Sequence, residues 1–465
     1  MAEIKRASRK ELFGWAMFDF ANSSYTTVII TVVFCIIFPK IIVGDGPEYR
    51  LGNLLWSASL SISYLIVLLS VPLLGAMMDY SAAKKKFLFG TCLLTVIATA
   101  ALYFVGPGDI ILGMMLIILS NVGFSYSESF VSSFLPNLGP PEDLGKISGY
   151  AWGLGYFGGL TSTAIVMFAL GANEYTLANF SNLRLVGPVT GLFFLIAAIP
   201  TFLWVKERNI PRPLPENENY ITVGLKRLQK TFRDIRDYED LMILLASFFF
   251  SYAGLSIVIA FAFIYGDQVI HWSSTTQILM FVITQFTAAG GAFLFGIIQD
   301  KWKAKQTFVL TLGLWVVAVG LIYGVHQVTA FVNSLMGTSI KGEYIFLVVG
   351  SIAGLGLGST QSACRAMVGL FSPNTKAGEF FGLWSFVGRL SSIMGLMGLG
   401  FLQTFFGLQK AILVCLVFFL ISLMIVLFVD EERGKMMAQN MPGNSYKSAV
   451  SPKIRIPLRH ISRLF

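Results

Sequence analysis

Twelve apolar runs, each about as long as a bilayer is thick, leave this chain very few folds to choose from. A spanning helix takes about 20 predominantly apolar residues, and within hydrocarbon its backbone polar groups must be satisfied internally. The runs fall near 13–38, 54–78, 87–106, 110–135, 147–170, 186–205, 241–266, 276–299, 306–325, 344–370, 381–406 and 410–429. Of the 465 residues 55% are hydrophobic and only 13% charged, against about 25% in soluble proteins. The expectation is an all-α membrane protein with twelve transmembrane helices. Residues 39–53 and 171–185 make modest loops, 206–240 is the one long polar interruption, and 430–465 is a polar, basic tail.

The net charge of +9 invites a nucleic-acid reading, but its distribution argues otherwise. Of the 34 Lys and Arg, 27 fall in the N-terminus, the even-numbered loops and the tail, where the positive-inside rule puts them if both termini are cytoplasmic. The basic balance therefore reports topology, and no nucleic-acid partner is expected. Cys35, Cys92, Cys364 and Cys415 lie inside apolar runs without metal spacing and read as small core residues. The opening "MAEIKRASRKE" is basic, yet the run after it is too long for a cleavable signal and contains Asp19 and Asn22.

The chain repeats itself. "GAMMDYSAAKKKF" at the second-to-third junction matches "GIIQDKWKAKQTF" at the eighth-to-ninth, pairing Gly75 with Gly296, Asp79 with Asp300, Lys84 with Lys305 and Phe87 with Phe308. In the fourth and tenth runs "ESFVSSFLPN" lies over "RAMVGLFSPN", which sets Glu128 over Arg365, each eight residues before its proline. "GKISGYAWGLG" from Gly145 then matches "GEFFGLWSFVG" from Gly378. Three matches in one order read as a duplicated six-helix unit, with halves at 1–205 and 241–429. Between them, the linker 206–240 carries Leu225, Leu228, Phe232 and Ile235 as an apolar stripe among Lys226, Arg227, Lys230, Arg233 and Arg236. This pattern predicts a helix lying on the cytoplasmic membrane face. The tail either touches anionic lipid or is disordered.

Parallel repeats of this kind build the major facilitator transporters. The chain resembles that superfamily, and within it the autophagy-related vacuolar amino-acid effluxers and their bacterial relatives. The resemblance is carried by "GWAMFDFANSSY" (14–25), "SGYAWGLGYFGG" (148–159), "TQSACRA" (360–366), "EFFGLWSF" (379–386) and "VDEERGK" (429–435). It implies the major facilitator fold, alternating access, and a cavity lined by the first, fourth, seventh and tenth helices. It also implies that Asp79, with Gly75 and Lys84, helps lock the cytoplasmic side, the repeat Gly296, Asp300 and Lys305 doing likewise. One departure is Cys364-Arg365-Ala366, where the family pattern is usually Ser-Arg-Ser; it puts substrate identity in question.

Residues at i, i+3, i+4 and i+7 share a helix face. Asp19, Asn22, Ser23 and Thr26 form one polar stripe, as do Asn121, Ser125, Glu128 and Ser132. Gly358, Gln361, Ser362 and Arg365 form a third, and Ser385, Arg389 and Ser392 a fourth. A charge at the bilayer centre costs roughly 2.5–3.5 kcal/mol on insertion scales, so these stripes face a protein interior or a water cavity. Asp19 lies about six residues inside its run, roughly 9 Å, and Glu128 and Arg365 each lie roughly 12 Å from their prolines. Similar depth makes Glu128 the expected partner of Arg365 across the two-fold axis, with substrate contact or local partners as alternatives. Asp19 is either held by nearby backbone or Asn22, or carries the proton that couples transport. Arg389 is expected to bind carbonyls or a loop carboxylate such as Glu379.

His271 and His326 fall in expected outer loops and His460 in the tail, and no phosphate loop, metal-ligand cluster or nucleophile elbow is present. No enzyme chemistry, metal or cofactor is expected. The reading is a monomeric secondary transporter in the cell membrane, the inner one if bacterial, carrying amino acids or similar small zwitterions and coupled to protons. A drug or osmolyte exporter, or a non-transporting receptor or scaffold on the same fold, are the alternatives.

Overall fold

The computed structural model describes residues 6–44, 50–172, 174–209, 211, 213–215, 218–233 and 238–439, and all regular elements among them are helical. The first half contains α1 (Arg9–Ser24), α2 (Arg50–Ser81), α3 (Lys84–Ala101), α4 (Ile110–Ser132), α5 (Leu144–Ala164) and α6 (Val186–Trp204). Helix α1 starts on Ser8, whose Oγ accepts the Glu11 N–H at 3.2 Å, and continues through wider π-type turns towards Val43. After the linker helix α7 (Tyr220–Arg233) come α8 (Glu239–Tyr265), α9 (Ser274–Lys301) and α10 (Ala304–Tyr323). A short α11 (Val325–Met336) follows, then α12 (Gly342–Phe371), α13 (Ala377–Ala411), α14 (Leu413–Val426) and α15 (Glu431–Gln439). Helix α11 occupies what the sequence reads as an outer loop, so His326 sits in a helix. Ile235, Arg236 and the tail beyond Gln439 lie outside the described residues.

The count of spans differs from the twelve apolar runs. Among the described residues ten helices are long and apolar enough to cross a membrane, or eleven if the pair Phe405–Ala411 and Leu413–Val426, bent by 58°, is one span. That bend falls at Ile412, and a separate kink lies inside α13 at Gly407, whose φ of 73° only glycine adopts readily. The fifth run is helical as α5 but is not among the ten, because glycines replace large apolar side chains there. Those glycines permit close packing: a Cβ on Gly158 would strike the Phe20 backbone of α1, and one on Gly149 would strike the Ala292 carbonyl of α9.

The side on which α1 begins is called the terminal side below. Within the first half α1 packs on α5 and α6, and α4 on α2 and α3; within the second, α9 packs on α12, and α8 on α13 and α14. The halves meet where α2 crosses α13 and where α5 crosses α9. At the terminal end of each crossing one half caps a helix of the other. Asp79 Oδ2, after the α2 core, accepts the Glu379 N–H at 3.0 Å at the start of α13. Asp300 Oδ2 accepts the Lys146 N–H at 2.9 Å at the start of α5. A carboxylate at a helix N-terminus satisfies an orphan donor and complements the helix dipole. Gly75 and Gly378 touch through their backbones at the first crossing, as Gly296 does with Gly145 and Gly149 at the second.

The repeat is shifted by one residue from the register the sequence suggests. Lys84 is fully buried, donating to the Ser133 carbonyl at 2.9 Å and lying 3.5 Å from Asp79. Lys305 makes no such pair with Asp300. Its N–H donates to Glu431 at 2.9 Å and its Nζ to the Leu427 carbonyl at 2.7 Å. The residue that does the same in the first half is Lys85, donating to Glu207 and to the Val205 carbonyl. Helix α10 begins four residues after Asp300 whereas α3 begins five after Asp79, so Lys305 matches Lys85 and the buried Ala304 takes the place of Lys84.

Lys84→Met therefore strands the Asp79 carboxylate, and removing one partner of a buried pair costs roughly 3–5 kcal/mol. Purified Lys84→Met is expected to melt well below wild type, Lys305→Met close to it, and Lys84→Met with Asp79→Asn in between, by thermal unfolding in detergent.

Candidate functional site

A cavity of about 360 Å³ lies between the halves, within the usual size of small-molecule sites. Its lining runs from Asp19 to Thr31 on α1 and the turns beyond, from Tyr252 to Phe263 on α8, and from Arg365 back to Phe346 on α12. The terminal-side ends of those helices contribute nothing to it, so the cavity opens away from the terminal side.

Its floor is built from two ion pairs, both between halves. Arg365 donates from Nη1 to Asp19 Oδ2 at 2.6 Å. The same guanidinium donates from Nε to Ser148 Oγ and from Nη2 to the Ser148 carbonyl, each at 3.0 Å. The rings of Trp15 and Trp152 flank it at 4.9 and 5.2 Å. Arg389 donates from Nη2 to Glu128 Oε2 at 2.8 Å and lies over the Tyr64 ring at 5.1 Å. Arg365 is 2% exposed, while the Glu128 side chain keeps 23% of its surface open to the cavity. Stacking on aromatic faces and pairing with a carboxylate offset part of the desolvation cost that a bare buried guanidinium would bear in full.

The expected pairing of Glu128 with Arg365 is thus incorrect. Distance from a proline sets height along a helix but not the neighbour it meets. Helix α12 leans on α5, which brings Arg365 to α1 and Ser148, whereas α4 meets α13 and so brings Glu128 to Arg389. Arg389 does not reach Glu379, which lies ten residues earlier on α13, roughly 15 Å away along the helix. Glu379 bonds Arg227 of the linker instead, at 2.6 Å. Asp19 is held by Arg365 rather than by Asn22, whose Oδ1 is buried and unpartnered among the described residues.

The other expected residues also find places. Asn121 donates to Ser63 Oγ at 2.5 Å, and Gln361 Oε1 accepts the Tyr156 hydroxyl at 2.8 Å; both line the cavity. Gly75, Asp79, Lys84, Gly296 and Asp300 lie at the two crossings and not in it. The aromatic lining of Trp152, Tyr156, Tyr252 and Trp384 was missed, as was Ser148. Ser148, Trp152 and Tyr156 recur every four residues along α5, a spacing that could have found them. Ser132 Oγ and Trp152 Nε1 join Asn22 Oδ1 as polar groups at the floor with no partner among the described residues. Such groups are the ones a polar ligand or water satisfies.

A double-mutant cycle tests the observed pairing. Asp19→Asn and Arg365→Gln are expected to couple by about 1–3 kcal/mol in thermal unfolding, and Glu128→Gln with Arg389→Gln to couple as well. Glu128→Gln with Arg365→Gln should be additive; coupling there would restore the discarded pair.

The family described as vacuole effluxer Atg22-like has a model that matches residues 55–439. The MFS-type transporter YxiO of Bacillus subtilis is 26% identical over 441 residues, covering 94% of this chain and 98% of that one. Autophagy-related protein 22 of Coccidioides immitis is 24% identical over 446 residues, covering 82% of this chain and 73% of that one. Among solved structures, a bacterial homologue of the iron transporter ferroportin in an outward-facing state superposes with a TM-score of 0.65. It is 15% identical and covers 90% of this chain and 98% of that one, a likeness of fold alone.

Proposed function

We propose that this chain, which belongs to the Atg22-like vacuole effluxer family of the major facilitator superfamily, carries amino acids or similar small zwitterions by alternating access, driven by protons. The protein is a multi-pass membrane transporter. The observation that carries the finer reading is the cavity floor, where Asp19–Arg365 and Glu128–Arg389 join the halves from opposite sides.

Opening the terminal side pulls both pairs apart, and each broken pair leaves two charges in a poorly solvated site. A zwitterion offers replacements for both. Its ammonium suits Glu128, the more open carboxylate, among the faces of Tyr252 and Trp384. Its carboxylate suits Arg365 together with the unpartnered Trp152 Nε1. A proton on Asp19 neutralises the third charge and the fourth, Arg389, keeps the face of Tyr64, so substrate and proton together make the opening affordable where neither alone does. Asp79 and Asp300, capping the opposite half at the two crossings, act as the terminal-side gate. Most Lys and Arg lie on that side, which supports a cytoplasmic terminal side, twelve crossings including α5 and the α14 pair, and a cavity facing the exterior or a vacuole lumen. Transport then runs into the cytoplasm, from the cell membrane in a bacterial host, by a monomer.

Two measurements decide this. A thermal-shift screen over amino acids, dipeptides and nucleosides is expected to select amino acids, with Glu128→Gln abolishing the shift; stabilisation by nucleosides alone overturns the substrate class. In liposomes, uptake should accelerate when the exterior is acidified, and Asp19→Asn should lose accumulation while keeping counterflow exchange. Wild-type flux indifferent to the proton gradient removes the coupling.

A further inference from the structure

The linker helix α7 stands apart from the cavity, and its position is informative. On α2 the exposed residues Ile62, Leu65, Ile66 and Leu69 form one stripe facing the surrounding lipid. The same helical face continues one and two turns later at Leu73 and Met77, where α7 covers it: Gly224 lies against both side chains, and the neighbouring Val223 is buried. Helix α7 therefore sits on the lipid-facing flank of the bundle at the terminal-side edge of the hydrocarbon, not beneath the cavity. Asn219 starts the helix, its Oδ1 accepting the Thr222 N–H at 2.8 Å.

Three faces of α7 do three things. Val223, Gly224 and Arg227 turn to the protein. Ile221 and Leu225, four residues apart, are exposed at 53% and 46%, an apolar pair beside the lipid stripe of α2 that the described residues leave open. Lys226 and Lys230 face away from that pair, Lys226 meeting Glu218 at 2.6 Å. An apolar strip backed by cations is the pattern of a helix lying in a membrane interface.

The inward face reaches the gate. Arg227 donates from Nε to Glu379 Oε1 at 2.6 Å and from Nη2 to the Thr375 carbonyl at 3.1 Å, both at the start of α13. The Glu379 N–H is the donor that Asp79 of α2 accepts. The Tyr80 ring lies 5.9 Å from Arg227, and its hydroxyl donates to the Pro213 carbonyl, tying the linker to the end of α2. Separating α2 from α13 at this end requires Arg227 to let go of Glu379 or to leave α2 with it.

We infer that α7 is a membrane-seated latch: it buries Ile221 and Leu225 in the terminal-side lipid interface, prefers an anionic surface, and through Arg227 makes opening of the α2–α13 crossing depend on that seating. This rests on the gate assigned above, while the lipid contact is a separate surface. Each lysine near an anionic surface is worth about a fivefold preference.

The test uses the full chain without native cysteines, reconstituted in phosphatidylcholine vesicles. A bimane on Leu225→Cys should be quenched by brominated acyl chains, and phosphatidylglycerol should deepen the quenching, less so with Lys226→Glu and Lys230→Glu. Spin labels at the exposed Lys86→Cys and Lys301→Cys should report a longer terminal-side distance for Ile221→Asp and for Arg227→Gln. Arg227→Gln should keep the bimane quenching, because it cuts the latch and not the seat. Absence of quenching overturns the lipid contact, and an unchanged distance in both variants overturns the latch. Neither readout uses a transported solute, so either failure leaves the transport reading standing.

Discussion

A charge inside a low-dielectric bundle must be met by an opposite charge at contact distance, and here the partners come from opposite ends of the chain. Asp19 finds Arg365 346 residues later, and Glu128 finds Arg389 261 residues later. Because each half holds one member of each pair, neither half can solvate its own buried charges when the two separate. The two pairs therefore favour the arrangement in which the halves stay together at the floor. Pairs within one half would have stabilised the fold equally well while leaving the halves indifferent to one another.

The same logic governs the rim. Asp79 and Asp300 each satisfy a helix N-terminus belonging to the other half, so the contact that closes the crossing also completes a helix. Small residues make this geometry reachable. Gly75 against Gly378, and Gly296 against Gly145 and Gly149, allow the backbones to approach until a short Asp side chain spans the gap. Larger residues there would hold the carboxylates out of reach of the N–H groups. The duplicated motif thus specifies two things together, a close crossing and the cap that fastens it.

The halves are not copies, and the difference has a physical origin. One residue fewer between Asp300 and the next helix shifts the lysines relative to the aspartate. Among the described residues the first crossing therefore buries its Lys84–Asp79 pair, while the second has the partly exposed Lys146 3.8 Å from Asp300. The linker adds a second asymmetry, since α7 docks on α2 and reaches α13 through Arg227, and the described residues place nothing comparable at the α5–α9 crossing.

Hydrophobic length and charge placement, both local properties, determined from the sequence alone that this is a helical membrane protein built as a repeat, with Asp19, Glu128, Arg365 and Arg389 turned inward. Each follows from a cost incurred residue by residue: apolar runs must leave water, and charges must avoid lipid. Which carboxylate meets which guanidinium was not legible, because spacing along a helix sets depth while the partner depends on how α4, α12 and α13 lean against their neighbours. The sequence counts 147–170 among its spans, but the glycines that let α5 pack closely keep it out of the ten helices apolar enough to cross a membrane. Ser148 and the aromatic lining became a site only when α5 crossed between the halves and brought them to Arg365. Tertiary structure decided these matters because close packing selects among contacts that periodicity leaves equivalent.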